Sequence, residues 1–185
     1  MLSIGLIVII VAVVLLLIIP FRYYNRFVIL ANRIKNSLAQ INVQLKRRAD
    51  LIPNLIETVK GFVKHEKAAI KAVTEARKAL VGAKGVESKV KANNQLESAL
   101  KTIFAFAEGY PDLKANTNFL ELQRELAATE DKVAYSRQFY NDSILAYNNM
   151  VEMFPGNIFA SMFGRKQMEF FKIEAVDKKL PKVAF

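Results

Sequence analysis

The single histidine, His65, stands in KHEKA, where His65-Glu66 begins as a zinc-protease helix begins. Such a site needs a second histidine one turn further along the same helix face, and that position is Ala69. A ferritin-like di-iron bundle would need Glu-x-x-His on two helices, and no such motif occurs. A Ser-His-Asp triad would have to recruit His65 with one of several scattered serines, none of them in a nucleophile-elbow context. Walker and dinucleotide-binding glycine patterns are absent. With no Cys, disulfides, thiol nucleophiles, iron-sulfur clusters and Cys-based zinc sites are excluded. Carboxylates recur three or four residues from a base (Glu57 with Lys60, Glu75 with Lys78, Glu97 with Lys101, Glu121 with Arg124), as solvated helix-surface pairs do. Glu130 and Asp131 point about 100° apart on a helix and make no acid-base pair. The expectation is a protein that is not an enzyme and takes no cofactor and no metal, with His65 structural or solvated.

Two polar features do stand out. In YNDSILAYN, Tyr140 and Tyr147 are seven residues apart, as are Asn141 and Asn148, and Arg137 lies one turn before Asn141. Each pair therefore falls on nearly one line of a helix. Facing inward, this ladder would be a hydrogen-bonded network that fixes helix register. Facing outward, it would be a contact surface for another protein, anchored by Tyr and Arg. The inward reading is preferred. The second feature is RRADLIPN, where Arg47 and Arg48 are followed by Asp50, Pro53 and Asn54. In mid-helix, Pro53 removes the bond to the carbonyl of Ala49 and bends the helix. With Asp50 as an N-cap, Pro53 would instead sit in the first turn of a new helix, at no such loss. Ile52, Leu55, Val59 and Phe62 continue the stripe of Ile34, Leu38, Ile41 and Leu45 without a phase jump, which favours a kinked helix over a break.

The elements that must carry these residues are helical. Glycine and proline are few, 7 and 5 in 185 residues, and helix formers fill the stretches between them. The stripe from Ile34 runs on through Ala69, Val73, Ala76 and Leu80 to the turn GAKG at Gly82–Gly85. A second helix spans about Val86 to Glu108 and ends at EGYPDL. A third starts at Asn116 or Thr117, both good N-caps, and runs to FPGN at Phe154–Asn157. Beyond it NIFASMFG has helical spacing, and the tail KIEAVDKKLPKVAF reads as loosely ordered. Long helices joined by tight turns pack antiparallel. The predicted fold is all-α: an up-and-down antiparallel bundle of three to four long helices, the first one kinked, behind an N-terminal transmembrane helix. A coiled coil with a second chain is the alternative for the third helix, but its inner face carries Thr129, Ser136 and Ser143, and packing within the chain is preferred.

Leu2 to Ile19 carries no charge, and 18 helical residues reach about 27 Å, close to the hydrocarbon thickness of a bilayer. Nothing basic precedes the run and bulky Ile18-Ile19-Pro20-Phe21 follows it, so it reads as a retained anchor rather than a cleaved signal. Phe21, Tyr23 and Tyr24 then fall where an interfacial aromatic belt belongs, and Arg22 and Arg26 can reach lipid phosphates. Between Pro20 and Ala49 there are seven basic residues and no Asp or Glu, whereas the remainder of a chain of net charge +10 is nearly balanced. The asymmetry predicts an outside N-terminus and a cytoplasmic remainder. It also predicts anionic lipid as the partner of the basic flank; without aromatic-basic interleaving, nucleic acid is not expected.

INVQLKRRADLIPNLIETVKGFVKHE (Ile41–Glu66), ANTNFLELQRELAATEDKVAYSRQFYNDSILAYN (Ala115–Asn148) and FPGNIFASMFG (Phe154–Gly164) resemble the LemA family. So do Tyr24-Asn25 at the anchor exit, Asn93-Asn94-Gln95-Leu96 and the Pro-x-Val-x-Phe end at Pro181–Phe185. The resemblance covers nearly the whole chain. It implies a bacterial or archaeal single-pass inner-membrane protein with a helical-bundle domain and no established enzymatic role. Three regions are expected: an anchor at 2–21, a bundle at 22–156, and a short amphipathic helix with a tail at 157–185. The expected function is a scaffold or protein-interaction module at the cytoplasmic membrane face, with an unidentified protein partner or self-association as a homo-oligomer. The alternative is a regulator or chaperone-like partner of an envelope enzyme or protease.

Overall fold

The computed structural model of the chain describes residues 3–63 and 66–171. His65, the tail from Lys172 and the Pro181–Phe185 motif lie outside the described residues. The described residues are all-helical: α1 Ile4–Lys60, α2 Lys67–Gly82, α3 Val86–Ala107, α4 Pro111–Lys114, α5 Thr117–Glu152 and α6 Gly156–Met162. α1 is the one described helix long and apolar enough to cross a membrane. Its apolar N-terminal window is covered by no other part of the described chain.

α1 runs unbroken through Pro20 and Pro53. Of the two readings of Pro53, the break is therefore excluded. The expected single helix from Ile34 to Leu80 is corrected elsewhere: α1 ends at Lys60 and α2 begins at Lys67. Gly61 is a poor helix former, and the backbone tightens there, with Gly61 N–H donating to the Thr58 carbonyl at 3.3 Å and Phe62 N–H to that of Val59 at 3.0 Å. Phe62 leaves the stripe and is exposed. The periodicity ran on because α1 and α2 each bury one face, so it signalled two helices as readily as one.

The other boundaries have local causes. Asn116 caps α5, its Oδ1 accepting from the Phe119 N–H at 3.0 Å. EGYPDL, expected as a plain turn, contains α4, with Pro111 in its first turn, where a missing N–H breaks no helical bond. Gly85, at φ 84°, provides the positive φ before α3. At the α5–α6 corner, a Cβ on Gly156 would come within 2.3 Å of the Met150 carbonyl oxygen, so this approach requires glycine.

The described residues divide into two compact units, one running to Leu38 and joined by Gln138–Phe170, and one of Ala39–Arg137 with Phe171. In the first, α1 meets α5 and α6 through aromatic contacts. Phe27 packs edge-on against Tyr147 at 5.8 Å, Arg33 lies over the Phe139 ring at 4.7 Å, and Ile34 and Ile144 are buried. In the second, Ile41, Leu45, Ile52 and Leu55 of α1 form a core with Val73 and Leu80 of α2, Leu96 and Leu100 of α3, and Leu126 and Val133 of α5. α2 and α3 pack directly on each other. Thr129, Ser136 and Ser143 are buried by the chain's own helices. The Thr129 and Ser143 hydroxyls donate to the Leu126 and Phe139 carbonyls, both at 2.7 Å, so neither needs a partner outside its own helix.

Candidate functional site

The most buried charged side chain described is Arg48. From α1 its Nη1 donates to Asn93 Oδ1 of α3 at 3.0 Å and pairs with Glu130 of α5. Three helices thus meet on one guanidinium. Burial pulls the Arg48 pKa below its ordinary value, and the Glu97 carboxylate opposes that shift. Arginine nonetheless stays protonated in proteins, so the guanidinium itself does not shuttle protons. It can hold helices in register, because a buried guanidinium is costly wherever its acceptors are not in place.

At the next residue of α1 lies a second arrangement. The Arg77 Nε–H, from α2, donates to the Ala49 carbonyl oxygen at 2.8 Å. That oxygen is four residues before Pro53 and is the acceptor proline cannot bond. An orphaned carbonyl inside α1 has become the docking point for α2. Arg47 pairs with Glu125 of α5 at 2.6 Å on the surface, and Lys89 Nζ of α3 donates to Asn42 Oδ1 at 2.6 Å. Asp50, Pro53 and Asn54 are exposed. Asn54 lines a groove of about 640 Å³ between α1 and α5, shared with Glu57, Thr58, Asn118, Glu121 and Glu125. The structure therefore divides the RRADLIPN cluster: Arg48 turns inward, while Arg47, Asp50, Pro53 and Asn54 face solvent.

The Tyr-Asn ladder is buried at Tyr140, Tyr147 and Asn148 and half-buried at Asn141 and Arg137. Asn148 makes a two-point bond to the backbone of Met168, its Nδ2 donating to the carbonyl at 2.9 Å and its Oδ1 accepting from the N–H at 2.8 Å. This ties the segment after α6 onto α5. Burial raises the Tyr140 pKa. Arg137 lies over the Phe171 ring at 5.0 Å.

At the end of the apolar run, Tyr23 stacks on Phe159 of α6 at 4.6 Å, Tyr24 meets Phe163 edge-on at 5.3 Å, and Phe21 is exposed. Arg22 and Arg26 are exposed and form no ion pair with a described residue. With Ile19, Tyr23 and Leu30 of α1, and Ala146 and Met150 of α5, they line a cavity of about 450 Å³. It offers guanidinium donors above an apolar wall, a combination that suits an anionic amphiphile.

Sequence reasoning missed Arg77, Glu130 and Glu97 as partners of this block. Arg77 did carry a signal, since it lies on the line of Val73 and Leu80, the apolar side of α2. Glu130 and Glu97 carried none, because their meeting with Arg48 depends on how α3 and α5 lie against α1. Of the surface pairs, Glu75 with Lys78 and Glu97 with Lys101 form, at 3.0 and 2.7 Å. Among the described residues no group of three His, Asp or Glu is arranged to hold a metal.

A sequence model of the LemA family matches residues 37–185. Protein LemA of Metamycoplasma hominis is 23% identical over 148 residues, covering 80% of this chain and 68% of that protein. Magnetosome protein MamQ of Magnetospirillum gryphiswaldense is 24% identical over 174 residues, covering 80% of this chain and 64% of that protein. Magnetosome protein MamQ 2 of Paramagnetospirillum magneticum is 22% identical over 175 residues, with the same coverage. The chain thus spans about two thirds of the length of the curated relatives it matches.

Proposed function

The chain belongs to the LemA family, and from that footing we propose that it is a non-enzymatic, single-pass membrane-anchored scaffold or protein-interaction module. The observation that carries this reading is α1 itself: one helix begins as an uncovered, uncharged apolar run and continues into the residues that organise the helical units. The helices form an up-and-down antiparallel bundle, and Arg22 and Arg26 take anionic lipid at its basic flank. The basic flank supports an orientation with the N-terminus outside the inner membrane and the bundle in the cytoplasm. Self-association as a homo-oligomer belongs to the same proposal.

Crosslinking in native membranes followed by mass spectrometry tests it. Self-crosslinks, or crosslinks to a non-enzymatic membrane partner, are expected. A purified chain that turned over a substrate at a defined pocket, or that ran strictly monomeric with no crosslinked partner, would end the scaffold reading. For topology, single cysteines at Lys84 and near the C-terminus are expected to resist an impermeant thiol reagent in intact cells, and labelling of both from outside reverses the orientation.

A second reading is a regulator or chaperone-like partner of an envelope enzyme or protease. The groove lined by Asn54, Glu57, Glu121 and Glu125 favours it, being polar, acidic and open enough for a basic peptide segment. Recovery of an enzyme as the crosslinked partner selects this reading over the scaffold.

A further inference from the structure

The α5–α6 corner leaves four large apolar side chains uncovered: Met153 is 63% exposed, Phe154 80%, Ile158 56% and Met162 59%. The contacts between α5 and α1 show at what level this corner lies. Arg33 covers Phe139, Phe27 meets Tyr147, and Met150 shares a cavity wall with Ile19, Arg22 and Tyr23. Each step toward the N-terminus of α1 is matched by a step toward the C-terminus of α5, which is an antiparallel register. α5 ends two residues past Met150, at Glu152, so in this register Met153 and Phe154 follow at the level of Ile19, the end of the uncharged run.

α6 holds the corner at this level. Its Phe159 stacks on Tyr23, and Phe163, just past its end, meets Tyr24. Ile158 and Met162 each precede one of these rings, so they are turned about 100° away from the α1 contact and remain bare. From Met153 to Gly164 there is no charged residue, and Arg165 and Lys166 follow at once. An uncharged apolar patch closed by two bases has the make-up of an interfacial membrane element.

We propose that the α5–α6 corner is a second membrane-contacting element, which buries Phe154, Met153, Ile158 and Met162 in the leaflet beside the end of the anchor. The proposal rests on the reading of the apolar run of α1 as a membrane anchor. The occupant is the bilayer because the patch is level with the apolar run and continuous with its exit aromatics. Two attachment points fix the rotation of α1 about its own axis, which a lone anchor leaves free. They also hold Arg22 and Arg26 against the head groups.

The chain contains no tryptophan, so one introduced tryptophan reports its own surroundings. The full chain carrying Phe154→Trp is placed in phosphatidylcholine–phosphatidylglycerol vesicles, with acyl chains brominated at shallow or deep positions as quenchers. Leu16→Trp, in the apolar run, reports the anchor, and exposed Val81→Trp, in α2, reports water. At Phe154→Trp the emission shifts to the blue and is quenched most by the shallow bromines, at a depth of about 5–10 Å in the headgroup–acyl boundary. Leu16→Trp is quenched more deeply, and Val81→Trp not at all. Ile158→Trp is measured alongside, so that one misfolded variant does not decide the result. Quenching at either corner position supports the proposal. If both corner reporters behave as Val81→Trp does while Leu16→Trp is quenched, the corner is not in the membrane although the anchor is. If Leu16→Trp is unquenched as well, the anchor reading fails and the proposal falls with it.

Discussion

Arg77 donates its Nε–H to the carbonyl oxygen of Ala49 at 2.8 Å, the acceptor that Pro53 leaves without an intrahelical partner. A proline that looks like a fault in a long helix thereby creates the point to which the next helix is tied. Arg77→Ala strands this partly buried oxygen again and is expected to cost about 1–3 kcal/mol. In a Pro53→Ala background an intrahelical N–H is restored, so the same substitution should cost less. Urea melts of the four chains in detergent, arranged as a double-mutant cycle, measure the difference. Equal costs in both backgrounds would show that the two residues are not coupled.

The Arg48–Glu130 pair has one side chain 4% exposed and the other 31% exposed, so its worth is discounted for solvent on the glutamate side. Glu130→Met leaves the buried guanidinium with Asn93 and the field of Glu97 alone, and a loss of about 1–3 kcal/mol is expected. Arg48→Met combined with Glu130→Met removes both charges and should recover part of that loss, as apolar replacements of buried pairs do. Thermal melts followed by circular dichroism compare the two. A double variant less stable than Glu130→Met would show that the unpaired guanidinium is not the source of the loss.

Asn148 holds Met168 by both of its amide groups. Asn148→Leu removes both bonds, and Asn148→Asp keeps an acceptor for the Met168 N–H while setting a carboxylate against its carbonyl. The expected order of trypsin cleavage after Arg165 or Lys166 is slowest in the parent, intermediate in Asn148→Asp and fastest in Asn148→Leu. Unchanged cleavage in Asn148→Leu would mean that other contacts hold the segment.

Burial raises the Tyr140 pKa above its ordinary value of 10.0. Above about pH 10 an unfolded tyrosine loses a proton that the folded chain keeps, so ionisation favours the unfolded state. The contribution is fully present below that pH and is lost as pH rises toward the folded pKa. Tyr140→Phe, whatever its stability at neutral pH, should therefore lose less with alkaline pH than the parent does. Urea midpoints measured from pH 8 upward give the two slopes, and parallel slopes would contradict the shift.

Much of this was legible in local chemistry. An uncharged run of bilayer length, glycines at 82 and 85, an Asn-Thr start at 116–117 and a Pro-Gly stop at 155–156 each act within one turn of chain. They marked the apolar segment, the helical class and most helix ends. The Gly61 turn was missed because the apolar stripe keeps its phase across it. Periodicity records which face is buried; it does not record whether the next turn continues the helix or folds back to bury against it.

What the residues could not announce is which of them meet. Arg48 was visible as a basic residue on a helix, yet its acceptors come from positions 45 and 82 residues away. Pro53 announced a free carbonyl at Ala49 but not the arginine 28 residues on that takes its place. The exposed apolar corner at Phe154 acquires its meaning from an antiparallel register with α1, which depends on side-chain contacts spread over several turns. Propensity, capping and hydropathy are short-range free energies and can be read along the chain. Pairing a buried charge, satisfying an orphaned carbonyl and setting a helix register require groups distant in sequence to be close in space, and packing alone brings them together.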